Sequence, residues 1–232
     1  MTLVETEILV IGSGAGGATT AAMLAEAGRS VLVVEEGPWV DPDEVEPFSL
    51  QEMERKYRHQ GSSAALGAPP IAYAEGRCVG GSTEINSGLW HRLPAELAAR
   101  WRDVDAVEDF DDATLDRYAS LVEGWQSVGR MPTAPPLSSA LLERGAAKLG
   151  WRSMEFPRVF RYETGDRAVK QTMARTLIPR AVAAGATVQP GCRVIKISDF
   201  CCAPAGAAAV SAPASAMPND NMTCRRFTRP PS

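Results

Sequence analysis

An α/β fold with a parallel sheet is predicted by three observations on the 232-residue sequence. Two short apolar, β-branched runs, "EILVIG" at 7–12 and "SVLVVEE" at 30–36, flank a stretch of small and helix-favouring residues. Gly12, Gly14 and Gly17 follow the first run in the spacing GxGxxG. An acid, Glu35, closes the second run. Strand, glycine turn, helix and strand within about 30 residues make a βαβ unit of the Rossmann-like kind.

Each part of that unit has a physical reason. Gly12 permits the tight turn from strand to helix, and Gly14 lets a backbone approach a pyrophosphate with no Cβ in the way. Gly17 lets the helix lie close to the sheet. From Ala15 onward the amides of the helix N-terminus and the helix dipole face outward, a natural seat for two phosphate charges. The helix runs to Ala27 and stops at Gly28. Glu35 is placed to accept hydrogen bonds from both ribose hydroxyls of a dinucleotide and to disfavour a 2′-phosphate. Glu36 alternates to the opposite face as a solvated carboxylate. This unit alone does not separate NAD from FAD, which share the ADP half.

Beyond Gly37 the sequence turns polar. "GPWVDPDEVEP" reads as a loop, and "FSLQEMERKYRHQG" as one amphipathic helix with Phe48, Leu50, Met53 and Tyr57 on its apolar side. His59 falls on its solvated end. "SSAALGAPP" reads as loop and "IAYAEG" as a short strand. Then comes "GRCVGGSTEINSGLW" at 76–90. Gly80 and Gly81 allow a backbone to lie flat against a ligand. Ser82 and Thr83 offer hydroxyls to phosphate oxygens or cap a following turn, and Asn86 offers both a donor and an acceptor. From these residues alone, a phosphate-and-ring loop and a plain capped turn stand side by side.

Three further helices follow, at "PAELAARW", "DDATLDRYASLVEGWQ" and "PLSSALLERGAAKLG". In the second, Leu115, Tyr118, Val122 and Trp125 recur at helical spacing and read as core.

Composition excludes several classes. A net charge of −4 with no long basic run argues against nucleic acid or an anionic membrane as partner. No apolar run approaches the ~20 residues of a bilayer span. Glu5 and Glu7 precede the first apolar run, unlike a basic leader, so a soluble cytoplasmic protein is the default. The five cysteines and two histidines form no ligand spacing, so neither a metal site nor a disulfide framework is expected.

"GRCVGGSTEINSG" resembles the signature of the glucose-methanol-choline (GMC) oxidoreductase family, close to GGS(S/T)xxNxx. That family opens with the same GxGxxG…E unit followed by Gly-Pro, here Gly37 and Pro38. The resemblance implies FAD as cofactor, with this second loop lying against the pyrophosphate and reaching the flavin. The positions concerned are Gly80, Gly81, Ser82, Thr83, Asn86 and Ser87. Glu84 departs from the pattern, where many members carry an apolar or neutral residue. "VKQTMARTLIPRAVAAGATVQPGCRVIKIS" is similar to the family's (S/T)xxxxYLPRAxxxGA helix and the strand after it. Thr176, Pro179, Arg180, Ala181, Gly185 and Ala186 match, which makes Val194 either the adenine contact or a plain core residue.

The resemblance covers residues 4 to about 198. It implies a Rossmann-like FAD-binding domain over 1–198 with a partial helical segment, ending before the substrate domain. Residues 199–232, rich in Ala, Pro and Cys, read as a low-complexity disordered tail, natural or the product of a shifted reading frame. The family oxidises CH–OH donors by hydride transfer to flavin, while a histidine near the C-terminus takes the hydroxyl proton. His59 and His91 do not occupy that place in the motif order, and His91 reads as a rim residue. The chain is therefore expected to hold a FAD site and no catalytic pair, with a small-molecule alcohol as the family's substrate. Two alternatives remain, a flavin-binding remnant without enzymatic activity and an NAD-dependent Rossmann dehydrogenase.

Overall fold

The computed structural model describes residues 2–108, 110–163, 167–198, 209–211 and 222–224. Its elements run β1 (Thr2–Val4), β2 (Ile8–Ile11), α1 (Ala15–Glu26), β3 (Val31–Val34), α2 (Leu50–Lys56), β4 (Ser63–Ala65) and β5 (Ile71–Tyr73). There follow α3 (Ala95–Asp103), α4 (Asp112–Trp125), β6 (Val128–Gly129), α5 (Leu137–Lys148), β7 (Arg158–Tyr162) and β8 (Ala168–Lys170). The order closes with α6 (Leu177–Ala183), β9 (Thr187–Gln189), β10 (Lys196–Ser198), β11 (Ala209–Ser211) and β12 (Met222–Cys224). The chain divides into two compact units, Met1–Asn86 with Thr172–Ser232, and Ser87–Gln171.

The first unit is built on a parallel three-stranded sheet in the order β2-β3-β9. Its register puts Ile8 beside Val31 and Leu32 beside Thr187. β3 is central, and all four of its residues are buried, as an apolar run with no alternation requires. α1 packs against α6 and the sheet through side chains of minimal size. Its buried residues are Ala18, Ala21, Ala22 and Ala25, opposite Leu177, Ile178 and Ala181 of α6. An ion pair from Arg180 to Glu26 joins the same two helices at the surface. Elsewhere β10 pairs antiparallel with β11, and β1 parallel with β12. Apart from β11 and β12, the tail reading of 199–232 falls outside the described residues.

The polar excursion corrects two expectations. α2 covers only Leu50–Lys56, because Tyr57 is extended and bridges to Gly76. Its buried residues are Glu52 and Lys56, whereas Phe48 and Leu50 are 86% and 79% exposed. Glu52 and Lys56 therefore point inward, against the amphipathic reading, because Lys56 pairs with both Glu52 and the buried Glu84, while Met53 and Tyr57 are half-buried. "SSAALGAPP", read as loop, contributes β4, which pairs antiparallel with β5.

The second unit holds the antiparallel sheet β6-β7-β8 with α3, α4 and α5. Arg92 is its main polar anchor, reaching Glu123 through two nitrogens at 2.6 and 2.7 Å, and Asp116 and Ser120 at 3.0 and 3.1 Å. The Trp90 indole N–H donates to the same Glu123 at 2.8 Å. The core expected of α4 is not there. Leu115, Val122 and Trp125 are half-buried and Tyr118 is exposed. The apolar spacing is helical, but no element among the described residues covers that face fully. Among the described residues no helix is long and apolar enough to cross a membrane.

Candidate functional site

The site grows from the turn between β2 and α1. Gly12 sits at φ +90, open only to glycine at low cost, and its N–H donates to the Val34 carbonyl at 2.8 Å. A Cβ on Gly17 would lie 2.0 Å from the Gly12 carbonyl oxygen, so the helix start presses directly on the turn. Cβ atoms on Gly14 and Gly16 would meet nothing within 4 Å. Gly17 is thus required by the protein's own packing, while Gly14 is not. Gly14 takes the N-cap position of α1 without a side-chain hydrogen bond, and the first turn carries no acid. That helix end is a bare, positively polarised backbone surface.

The loop 76–86 packs on this turn. Gly80 and Gly81 adopt φ +96 and +56, and a Cβ on Gly81 would come within 2.9 Å of the Gly14 Cα. The two glycine segments therefore meet backbone to backbone. Ser13 joins them chemically. Its hydroxyl accepts the Gly80 N–H at 3.1 Å and donates to Glu35 Oε2 at 2.7 Å. The Ser13 N–H donates to the same oxygen at 3.0 Å, and the Gly37 N–H to Glu35 Oε1 at 2.9 Å.

Glu35 is thus 6% exposed and accepts three hydrogen bonds, of the roughly four that a carboxylate offers. It organises the end of β3 and the turn together. Glu36, expected as a solvated carboxylate, instead pairs with Arg58 and lies 3.7 Å from both Arg77 and Arg193. Burial works against its ionisation, but the Arg58 hydrogen bond and the three guanidinium charges outweigh it, holding the carboxyl below its ordinary value. These arginines come from the chain after α2, the start of the second glycine loop and the segment after β9. The end of β3 is where they converge.

The hydroxyls of the second loop serve the loop itself. Ser82 Oγ accepts the Gly76 N–H at 3.0 Å. Thr83 Oγ1 donates to the Gly80 carbonyl at 2.7 Å and accepts the Met173 N–H at 3.0 Å, which ties the segment before α6 to the glycine turn. Asn86 is exposed, and its N–H donates to the Ser82 carbonyl at 3.1 Å. Ser87 is exposed and opens the second unit. Val194 lies between β9 and β10 rather than on a strand, half-buried against Leu32 and Val34. Ala15, the first residue of α1, is exposed. His59 is exposed beyond α2, with Nδ1 3.3 Å from Ser63 Oγ, and His91 belongs to the second unit, where its ring meets Phe156.

Sequence reasoning missed Ser13, the hydroxyl between the first two glycines, and the buried group of Glu52, Lys56 and Glu84. The position of Ser13, two residues past a strand and beside an acid-ended strand, is a signal in retrospect. An i,i+4 Glu–Lys pair ordinarily marks a solvated face, so nothing in the sequence marks it as buried.

The geometry admits FAD on structural grounds. A pyrophosphate needs uncapped amides and an approach free of side chains. Gly14 and Gly16 provide the open approach, the α1 N-terminus the amides, and Gly80 and Gly81 a second bare backbone beside it.

Comparison with known proteins agrees. A family model described as GMC oxidoreductase matches residues 6–212, so the similarity runs past residue 198, where the sequence reading had it end. The chain is 37% identical over 201 residues to an uncharacterized GMC-type oxidoreductase of Sinorhizobium fredii, covering 83% of this chain and 40% of that protein. It is 24% identical over 203 residues to a long-chain-alcohol oxidase of Arabidopsis thaliana, covering 82% of this chain and 26% of that one. A 2-methyl-1,2-propanediol dehydrogenase of Mycolicibacterium austroafricanum is 35% identical over 96 residues, which is 38% of this chain and 17% of the dehydrogenase. The chain therefore spans less than half the length of these relatives.

Proposed function

The chain belongs to the GMC oxidoreductase family, a family of FAD enzymes, and on that premise we propose that its first unit is a Rossmann-like FAD site closed by two glycine clamps. The first clamp is Gly12, Gly14, Ala15 and Gly17 at the start of α1. The second is Gly80, Gly81, Ser82 and Thr83, with Asn86 and Ser87 beyond it. The α1 amides bind the pyrophosphate, and the remaining acceptor position of Glu35 takes a ribose hydroxyl. Val194 borders the adenine. Thr83 and Ser82 act by holding the loop in shape. The single observation that carries this reading is the open space at Gly14, which the packing of the protein does not require but a ligand would.

When bound, FAD supplies a hydride acceptor for a CH–OH donor, and the alcohol-oxidising relatives support an alcohol as that donor. The residues of this chain bind and orient the cofactor. Removing the hydroxyl proton needs a base within hydrogen-bond reach; His59 Nδ1 lies 3.3 Å from Ser63 Oγ, and the His91 ring lies against Phe156. Flavin binding without turnover is the second reading, favoured by that observation. Anaerobic titration of the FAD-loaded protein with a panel of primary alcohols separates the two. Bleaching of the flavin band identifies an alcohol oxidoreductase, and an unbleached but bound flavin identifies a binding unit. NADH protection with no flavin uptake would displace both.

A further inference from the structure

Glu84, the departure from the family pattern, lies in an environment that explains it. Its side chain is 2% exposed, and those of Lys56 and Glu52 are 4% and 7% exposed. Lys56 Nζ lies 3.4 Å from Glu52 Oε1 and 3.9 Å from Glu84 Oε2. Glu52 is fixed in turn by the start of α2. Its Oε2 accepts the Phe48 N–H at 2.7 Å, and its own N–H donates to Ser49 Oγ at 3.1 Å. Ser49 is thus the side-chain N-cap of α2, and Glu52 reaches back one residue further, to the N–H before the cap.

The group sits directly behind the second glycine clamp. A Cβ on Gly80 would come within 2.6 Å of Glu84 Oε1 and 3.0 Å of its Cγ. The carboxylate thus occupies the space that Gly80 leaves. Lys56 also reaches the loop through its backbone, its carbonyl accepting the Arg77 N–H at 2.7 Å. One residue therefore holds the loop at 77 by its main chain and at 84 by its charge.

We propose that Glu84, held by Lys56, is a positioning residue for the cofactor: the buried pair fixes the Gly80–Gly81 turn against Gly14 and sets FAD affinity without touching FAD. This rests on the reading of Gly80 and Gly81 as half of the FAD site. Two adjacent glycines carry more backbone freedom than any other pair. A loop that must be ordered on binding loses affinity to that ordering, and a preorganised one does not. A charge pair shielded from water resists salt and is costly to break from one side.

Glu84→Leu tests this, because two carboxylates serve one ammonium and Lys56 keeps Glu52 when Glu84 is removed. Glu84→Gln, which keeps the shape and loses the charge, is the second variant should leucine disturb folding. Two readouts are taken: FAD affinity by quenching of flavin fluorescence, and amide hydrogen exchange of residues 79–83 in cofactor-free protein. The expected result is faster exchange across the turn and a dissociation constant raised roughly three- to thirtyfold, the range for residues acting through others. Unchanged exchange in both variants overturns the brace, and faster exchange with unchanged affinity overturns its role in binding. A wild-type protein that takes up no FAD removes the FAD-site reading and the positioning role with it, while the exchange data still decide whether Glu84 holds the turn.

Discussion

Ser13 Oγ donates to Glu35 at 2.7 Å and accepts the N–H of Gly80, a residue 67 positions away in the chain, at 3.1 Å. One hydroxyl therefore links the acid that ends β3 to the turn of the second glycine loop. Ser13→Ala leaves the Gly80 N–H buried with no acceptor, while Glu35 keeps the Ser13 backbone N–H. We expect a loss of about 1–3 kcal/mol in unfolding free energy, read as a lower urea midpoint at unchanged slope, with weaker FAD binding. A variant as stable as wild type would mean that the relay carries no load.

Gly17 and Gly16 separate packing from openness on the same helix. A Cβ on Gly17 meets the Gly12 carbonyl oxygen at 2.0 Å, and one on Gly16 meets nothing within 4 Å. Gly17→Ala should destabilise by roughly 1–3 kcal/mol through overpacking. Gly16→Ala should stabilise by up to about 1 kcal/mol through helix propensity. Thermal melting of the two variants beside wild type decides it, and equal melting temperatures would contradict the packing described here.

How far the sequence announces this arrangement depends on whether local chemistry or distant contacts decide. β2, α1 and β3 are legible because apolar runs, alanines and glycines each have one cheap solution. Gly80 and Gly81 are legible only as a point where the backbone is free, with a ligand loop and a plain turn both open. The inward face of α2 is not legible, since Glu52 and Lys56 are buried only because Glu84 arrives from a loop 28 residues beyond Lys56. Nor is the use of the Thr83 hydroxyl, which depends on Met173 being brought beside it. β4 escapes because Ser63, Ala64 and Ala65 are small and show no apolar alternation, whereas β5 is legible in the short run Ile71–Tyr73.

Glu36 ties stability to pH. Its carboxyl lies below the ordinary 4.5 in the folded state, so the unfolded chain binds the proton more readily. Its contribution is complete above about pH 4.5 and is lost as pH falls through the lower folded value. Urea midpoints from about pH 6 to about pH 3 should fall more steeply for wild type than for Glu36→Gln. Parallel curves would show that the three arginines do not act through Glu36.

Cys78 should be inert. Burial first, then the neighbouring Glu84, pushes its thiol up to about 12, with Lys56 acting in the opposite direction. Thiolate is the reactive form, so alkylation near neutral pH followed by peptide mass spectrometry should find Cys78 unmodified in native protein and modified after unfolding. Rapid native labelling would place it in a more open setting than the one described.

The central claim is that Gly14 is kept free for FAD, and Gly14→Ala examines it alone. The backbone there has an ordinary φ of −67 and room for the added methyl, so the variant should melt with wild type. Titrating both proteins with FAD and following flavin fluorescence should show saturable binding by wild type and binding weakened at least about tenfold, roughly 1.4 kcal/mol, in Gly14→Ala. Wild-type protein that does not bind FAD, or a Gly14→Ala protein that binds it equally well, would contradict the account.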